Sequence, residues 1–494
     1  MPRWRAPLIP VLVFSAASFC IVVLYRGSRA LFNQYDDAYI TYRYAIQLAR
    51  GNGLVYNIGE RIDSASSFLH VVLLSLAYRI GVHNLESVAT WLGVGFASGS
   101  AVIVYLALQH LTKRALVAFQ FAILTALHGF MSGWAVAGMD ATLFSFFVVT
   151  FIYLFFVRCD TGPASATMLA LVVVTRVEGA LLVVAAVIGL ACGWQSQSRR
   201  WQTAALLLGP ALGAGGALVL FRIGYYGRAL PDAFHFKHIW SAYQPRPSEL
   251  LDSWQSAAII AVLLAVGGLA RLPDARARLG VGSYLALSIG SLLLGPRSGW
   301  ARYSIHLLPI VMILAGVAVA GVWARMRVLA VTWAIAAGWQ TYGSAKDMRA
   351  FLEKTAYAQQ CRKEVGRYLA EHGSDHPVLS SDLGAIGYEA INVSFIDAVG
   401  LTSPDVLQAY LSGGSLDPIF DTKQPMLVAD TWYRSYSNYQ ALKVLQSPSS
   451  YIKGGKGRVA PPSYLSKRTA GFPLHQCKSP DGLVFSIAPL VPGE

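Results

Sequence analysis

Residues 33–63 read NQYDDAYITYRYAIQLARGNGLVYNIGERID and follow soon after the first long apolar segment of the chain, 8–25. The stretch opens on two adjacent acids, Asp36 and Asp37, and continues in a helical pattern. Over 37–49, Ile40, Tyr44, Ala45 and Leu48 recur on one face, with Arg43, Gln47 and Arg50 elsewhere. Gly51 and Gly53 signal the stop, and Arg50 suits the negative end of the helix. The pattern predicts a short helix lying in a membrane interface with the acids at its N-terminus. Asp is a favoured N-cap, but one cap needs one carboxylate. A second acid at a low-dielectric boundary is costly unless it is paired or used. One acid can cap while the other acts as a base toward a hydroxyl. Residue chemistry by itself favours capping.

The rest of the chain explains the boundary. Of its 494 residues 55% are hydrophobic and 13% charged, with mean hydropathy +0.47, whereas soluble domains carry nearly twice that charge. The net charge of +14 is not a nucleic-acid signal: residues 1–344 hold 25 Lys/Arg against 12 Asp/Glu, and residues 345–494 hold 15 against 14. The excess belongs to the apolar part, where loop Lys and Arg set orientation.

Twelve apolar segments are candidates for spans: 8–25, 66–80, 87–111, 115–131, 141–157, 164–175, 178–194, 201–222, 255–270, 279–295, 303–323 and 326–343. Arg3 and Arg5 precede the first, which lacks a clear cleavage site and reads as an uncleaved helix. The positive-inside rule puts the N-terminus, Lys113–Arg114, Arg158, Arg199–Arg200, Arg271/Arg276/Arg278 and Arg325/Arg327 in the cytoplasm. A first external loop, 26–65, then faces outward with 132–140, 176–178, 223–254, 296–302 and everything after about 344. Two segments separate that loop from Lys113–Arg114, where an odd number is required. Either 66–80 is not a simple span or Lys113–Arg114 break the rule.

Residues 345–494 form a second region. "KDMRAFLEKTAYAQQCRKEVGRYLAEHG" reads as an amphipathic helix over 346–372 ended by Gly373, and "PVLSSD", "VSFIDAVGL", "PMLVAD" and "GLVFSIA" read as strands. A small extracytoplasmic α/β domain is expected there, following a polytopic α-helical membrane domain over 1–344. Cys361 and Cys477 lie in it, and the sequence leaves a bond between them equally open with two free thiols.

Several ionisable residues fall at the outer ends of apolar segments. Arg176, Lys237, His238, Arg302 and His306 are candidates for binding an anionic substrate, Arg as a bidentate donor and Lys as a point charge. Arg302 and His306, four apart, are expected on one helix face, near Arg297. Snorkelling is the other account of an interfacial arginine, but the cluster of Arg297, Arg302 and His306 where no cytoplasmic charge is expected favours a site role. Arg176 and Glu178 interrupt the apolar run 164–194 and face either each other or a cavity. Asp140 caps the next segment or points to the same cavity, and Arg43 joins the substrate-binding candidates. The aromatic and basic loop 223–254 suits sugar, lipid headgroup or an interfacial belt.

No G-x-x-x-x-G-K-[ST], helix-opening G-x-G-x-x-G, C-x-x-C or H-E-x-x-H occurs. These absences argue against ATP- or NAD-driven chemistry and give no zinc signal; adjacent carboxylates admit a hard divalent cation, Mg or Mn, without demanding one.

The acidic pair and its sequel resemble the first external loop of GT-C-fold glycosyltransferases that use polyprenyl-phosphate sugars, in the bacterial branch of AftB-type arabinofuranosyltransferases and pilin-modifying enzymes. "GMDATLF" (138–144), "TRVEG" (175–179), "YYGRALPDAFHFKH" (225–238), "RYSIHLLP" (302–309) and "DLGAIGYEAINVSFIDAVGLTSPDV" (382–406) resemble the same branch in the same order. Asp63, His70, Val177 and Asp140 depart from its usual residues. The resemblance implies that Asp36 or Asp37 is a catalytic base in a bacterial inner membrane, acting on the outer side. It also implies a lipid-linked sugar donor and a glycan, lipid or protein acceptor. A transporter or flippase of lipid-linked sugars is the alternative, although no repeated halves are visible. A docking protein is a third reading, which leaves the charges in and around the spans without a use.

Overall fold

A computed structural model of the chain describes residues 8–31, 34–193, 200–239, 259–294, 300–323, 327–373, 375–412, 416–423, 427–433, 475–478 and 483–489. The first helices are α1 Leu8–Tyr25, α2 Asp36–Ala49, α3 Phe68–Arg79, α4 Leu85–Thr112, α5 Ala115–Leu127, α6 Gly129–Val136 and α7 Ala141–Phe151. Then come α8 Pro163–Thr175, α9 Gly179–Gly193, α10 Arg200–Tyr226, α11 Asp232–Ile239, α12 Ile259–Leu269 and α13 Ala275–Leu294. The last are α14 Trp300–Ser304, α15 Leu307–Trp323, α16 Arg327–His372, α17 Ala385–Glu389, α18 Pro404–Ser412 and α19 Asp417–Lys423.

Among the described residues, α1, α4 and the Trp201–Tyr226 part of α10 are long and apolar enough to cross a membrane. Helix α4, 28 residues and about 42 Å long, is central, packing on α1, α5, α6, α7 and α15. The segment expected as one span over 115–131 is two helices bent by 51°. His128 makes the bend: its extended backbone ends α5, and its Nδ1 accepts from Phe130 N–H at 3.2 Å to start α6.

Helix α3 bears on the odd crossing. Its 12 residues extend about 18 Å, short of the ~30 Å of hydrocarbon a span must cover. Just before it, Ser66 Oγ donates to Asp140 at 3.2 Å. Just after it, Glu86 of α4 pairs with Lys363 at 2.5 Å, and its carbonyl accepts from Gln34 at 2.8 Å. The loop carrying Asp140 touches the same layer, since Tyr35 N–H donates to Ala137 and Tyr42 Oη to Gly138. Both ends of α3 therefore border the same polar layer, formed by residues 34–42, 137–140 and Lys363.

Helix α2 is not the half-exposed surface helix its pattern suggested. Every residue from Ala38 to Gln47 is buried, because α3 covers one side and the tail another. The tail begins inside a helix: α16 runs 46 residues through the composition change at 344–345 without a break. The sheet beyond it has the order β2-β1-β3-β5-β4. Strand β1 Val378–Ser380 lies parallel to β2 Phe395–Asp397 and β3 Leu427–Tyr433. Strand β5 Leu483–Pro489 runs antiparallel to β3 and to β4 His475–Lys478, a strand the apolar pattern did not mark. Cys361 and Cys477 are joined as a disulfide, tying β4 to α16 across a Cα separation of 5.3 Å.

Candidate active site

The two acids that begin α2 have different surroundings. The Asp37 carboxylate is 41% exposed and is held by Arg302 Nη1 at 2.5 Å. Arg302 Nη2 donates to the Tyr303 hydroxyl at 3.0 Å, and the Tyr303 ring lies 5.0 Å from the guanidinium of Arg302 and 5.0 Å from that of Arg176. Arg176 follows the C-terminus of α8 and pairs with Asp140 at 3.2 Å and Glu178 at 3.3 Å. Asp140 occupies the N-cap position of α7 but makes no capping bond; its fully buried carboxylate accepts from Arg176 and Ser66 instead.

Beside this chain lies a cavity of about 360 Å³, lined by α8–α10, α13 and residues 231–234. Arg176, Glu178, Tyr303 and His306 face it together with Ser66, Ser288 and Arg222. Arg302 and His306 do not share a helix face, because the chain turns at Ile305–His306 between α14 and α15. The His306 ring packs edge-on against Phe144 at 5.2 Å and near Tyr284 at 5.7 Å.

Arg222 has a distinct geometry. Its Nε donates to Asp63 Oδ2 at 2.8 Å, and Asp63 is fixed in turn by its own N–H on Asp232 at 2.9 Å. The side chain is 11% exposed, and its two terminal nitrogens make no hydrogen bond to any described residue. Burial pushes the Asp63 carboxyl up, with Arg222 pulling against it. The arrangement leaves a mostly buried guanidinium, held from behind, with two terminal nitrogens at the cavity wall that no described residue engages.

Residues 347–463 match a family described as a domain of unknown function, DUF8728. Over 79 residues the chain is 33% identical to the terminal β-(1→2)-arabinofuranosyltransferase of Corynebacterium glutamicum, a match spanning 16% of this chain and 12% of that protein's length. The ArnT structure of Cupriavidus metallidurans, bound to undecaprenyl phosphate, superposes with a TM-score of 0.60 at 11% identity, covering 97% of this chain and 98% of that one. The oligosaccharyltransferase AglB of Archaeoglobus fulgidus, in complex with an inhibitory peptide and a dolichol-phosphate, gives 0.61 at 10% identity over 98% of this chain and 74% of that one. The chain has the GT-C fold.

Within this GT-C fold the structure gathers six of the expected site residues, Asp37, Asp140, Arg176, Glu178, Arg302 and His306, into one connected group. Lys237 and His238 fall on the last turn of α11, with side chains outside the described residues, as is Arg297. Asp36 and Arg43 turn toward the tail. Asp36 caps a helix other than its own: the N-cap position of α2 is Tyr35, and the Asp36 carboxylate accepts from Gly384 N–H at 3.2 Å and Ala385 N–H at 3.0 Å, opening α17. Arg362 lies 3.6 Å from it. Arg43 donates to four carbonyls, those of Tyr56 (2.8 Å), Ala390 (3.0 Å), Val393 (2.7 Å) and Gly387. Its guanidinium is thereby occupied, which is how a charge only 1% exposed is tolerated. Because the two carboxylates face different partners, they do not form a shared oxygen site, and no group of three His, Cys, Asp or Glu gathers among the described residues.

Neither Tyr303 nor Arg222 is a candidate site residue from the sequence; Tyr303 lies within RYSIHLLP without a role of its own. Arg222 has one faint signal: it ends an apolar segment on the side where no cytoplasmic charge is expected.

Two outcomes follow from these contacts. Burial pushes the Asp36 carboxyl from 3.8 up to about 6; Arg362 opposes the rise, and Asp382 and Asp37 add to it. The folded protein then holds a proton that the unfolded chain has released, so this carboxyl's contribution to stability is full below about pH 4 and lost as pH rises to about 6. Melting temperature should fall less over that window in Asp36→Asn than in the parent; equal falls would assign the effect elsewhere. Asp140→Ala should destabilise by about 3–5 kcal/mol, toward the lower end because Glu178 still holds Arg176. A thermal melt indistinguishable from the parent would remove the pair's structural role.

Proposed function

We propose that the chain is an integral-membrane glycosyltransferase that moves a sugar, arabinofuranose being the favoured one, from a polyprenyl-phosphate donor to a hydroxyl of a cell-envelope glycan, lipid or protein. The observation that carries this is a half-open carboxylate, Asp37, linked through Arg302 and Tyr303 to a cavity whose wall presents Arg222. Asp37 takes the acceptor hydroxyl proton as that oxygen bonds to the anomeric carbon. The bond from that carbon to the phosphate oxygen breaks, and its electron pair leaves with the polyprenyl phosphate. Arg222 meets the negative charge that grows there with two donors already aimed, and Lys237 and His238 stand on the neighbouring helix as further cations. Arg176 belongs to the wall: all three of its nitrogens are engaged by Asp140 and Glu178, which hold Tyr303 and the sugar side of the cavity in place. The 33% identity to an arabinofuranosyltransferase supports the pentose.

Orientation follows on the same reading. With α3 lateral and α5–α6 one bent crossing, α1, α4, α5–α6, α7, α8, α9, α10, α12, α13, α15 and α16 give eleven crossings in place of twelve. An odd number leaves the N-terminus inside and the tail outside, with every basic cluster from Lys113–Arg114 to Arg327 cytoplasmic. The Cys361–Cys477 bond suits an oxidising outer compartment.

Mass spectrometry of surface glycans in a strain lacking the protein tests this. Loss of a terminal pentose, restored by the parent chain, is expected; loss of a hexose would change the sugar, and unchanged glycans would remove the reading.

A further inference from the structure

The reaction above leaves Asp36 and Arg43 without a part, and the tail motif DLGAIGYEA (382–390) without chemistry. The three meet. Helix α17 receives Asp36 at its N–H end and Arg43 at its carbonyl end, each charge opposed to the end of the helix dipole it meets. Asp36 and Arg43 are seven residues apart, two turns or about 10.5 Å along one face of α2, so α17 lies alongside α2 in the same direction. The contact extends past both ends. Tyr56 Oη donates to the Leu383 carbonyl at 2.6 Å, and Asn57 exchanges two hydrogen bonds with the Phe395 backbone, at 2.7 and 3.1 Å. The fit has no slack: a Cβ on Gly384 would overlap Asp36, and one on Gly387 would overlap the buried Tyr56 hydroxyl.

We infer that Asp36 and Arg43 are positioning residues, a clamp by which the tail segment 383–393 fixes the first turn of α2 and so aims Asp37. The residues matched to the domain of unknown function thereby acquire a task, completing the site from outside the helical bundle. Asp37 itself has Arg302 as its anchor, which leaves the backbone of that turn to be held by the neighbouring acid. The inference rests on the glycosyl-transfer reading for its kinetic readout only.

The test uses the full chain, with Cys20, Cys159 and Cys192 replaced by Ser. The exposed residues Arg50 and Asn392, whose side-chain tips meet at 3.3 Å, are changed to cysteines and bridged by a short bis-methanethiosulfonate linker as a reporter and tether. Gly384→Ala and Arg43→Met should each reduce the yield of this cross-link, a measurement that needs no turnover. Without the tether each should lower kcat by about tenfold or more with donor KM within about twofold. Closing the 50–392 bridge in the Gly384→Ala chain should restore kcat to within about threefold of the parent, which a collapsed fold or a lost catalytic group would not do. Unchanged cross-linking, an unchanged kcat, or a kcat that the tether fails to raise would each overturn the clamp. If the parent transfers no sugar the functional reading fails, and the cross-link yields still decide whether the tail docks as inferred.

Discussion

Asp37→Asn is expected to lower kcat for sugar transfer by about 10²–10⁴-fold while leaving donor KM close to the parent value, the range for losing a general base. The amide has nearly the carboxylate's shape and can still accept from Arg302, so the loss isolates proton acceptance. Asp36→Asn should behave differently. It keeps an oxygen for the α17 N–H groups, Asp36 is the less open of the two, and its effect should pass through docking. Steady-state kinetics of both variants, with the donor in nanodiscs, separate these roles. A large loss in Asp36→Asn with none in Asp37→Asn would reverse the assignment.

Arg222 carries the second large effect. Arg222→Gln should weaken binding of polyprenyl phosphate by about 10–100-fold, the worth of hydrogen bonds to a charged group. The neutral side chain also leaves Asp63 nearly buried without its cation, so part of the cost is structural. Arg222→Lys separates the two. A lysine keeps a charge beside Asp63 but cannot hold that carboxylate and present a planar pair of donors to phosphate as well. Its melting temperature should stay near the parent's while affinity for undecaprenyl phosphate, titrated directly, falls by about tenfold or more. Parent-like affinity in both variants would move the phosphate to Lys237 and His238.

The helical membrane architecture was legible because apolar runs and basic clusters report it directly. Each of the twelve apolar segments contributes to a helix, but at three of them the outcome rests on features that periodicity does not encode. Segment 66–80 is too short and is recaptured at both ends by polar contacts. Segment 115–131 breaks on the extended backbone of His128. Segment 326–343 continues through 345 because helix propensity does not stop where hydropathy does. The α2 helix was placed well, but its burial depends on a tail more than 300 residues away, and that contact is also what separates Asp36 from Asp37. Arg43 reads as a substrate-binding candidate for the same reason: its four acceptors are backbone carbonyls, and carbonyls leave no trace in a sequence. Arg222 is silent in the sequence because its partner, Asp63, lies 159 residues away.

The central claim meets its most direct test in nanodiscs holding the purified chain, a polyprenyl-phosphate arabinofuranose donor and an arabinan acceptor. The measurement is the mass of the acceptor together with the polyprenyl phosphate released. The account predicts one added pentose per released polyprenyl phosphate in the parent, and neither product with Asp37→Asn. Donor moved across the bilayer with the acceptor unchanged would contradict it, as would equal transfer by the variant.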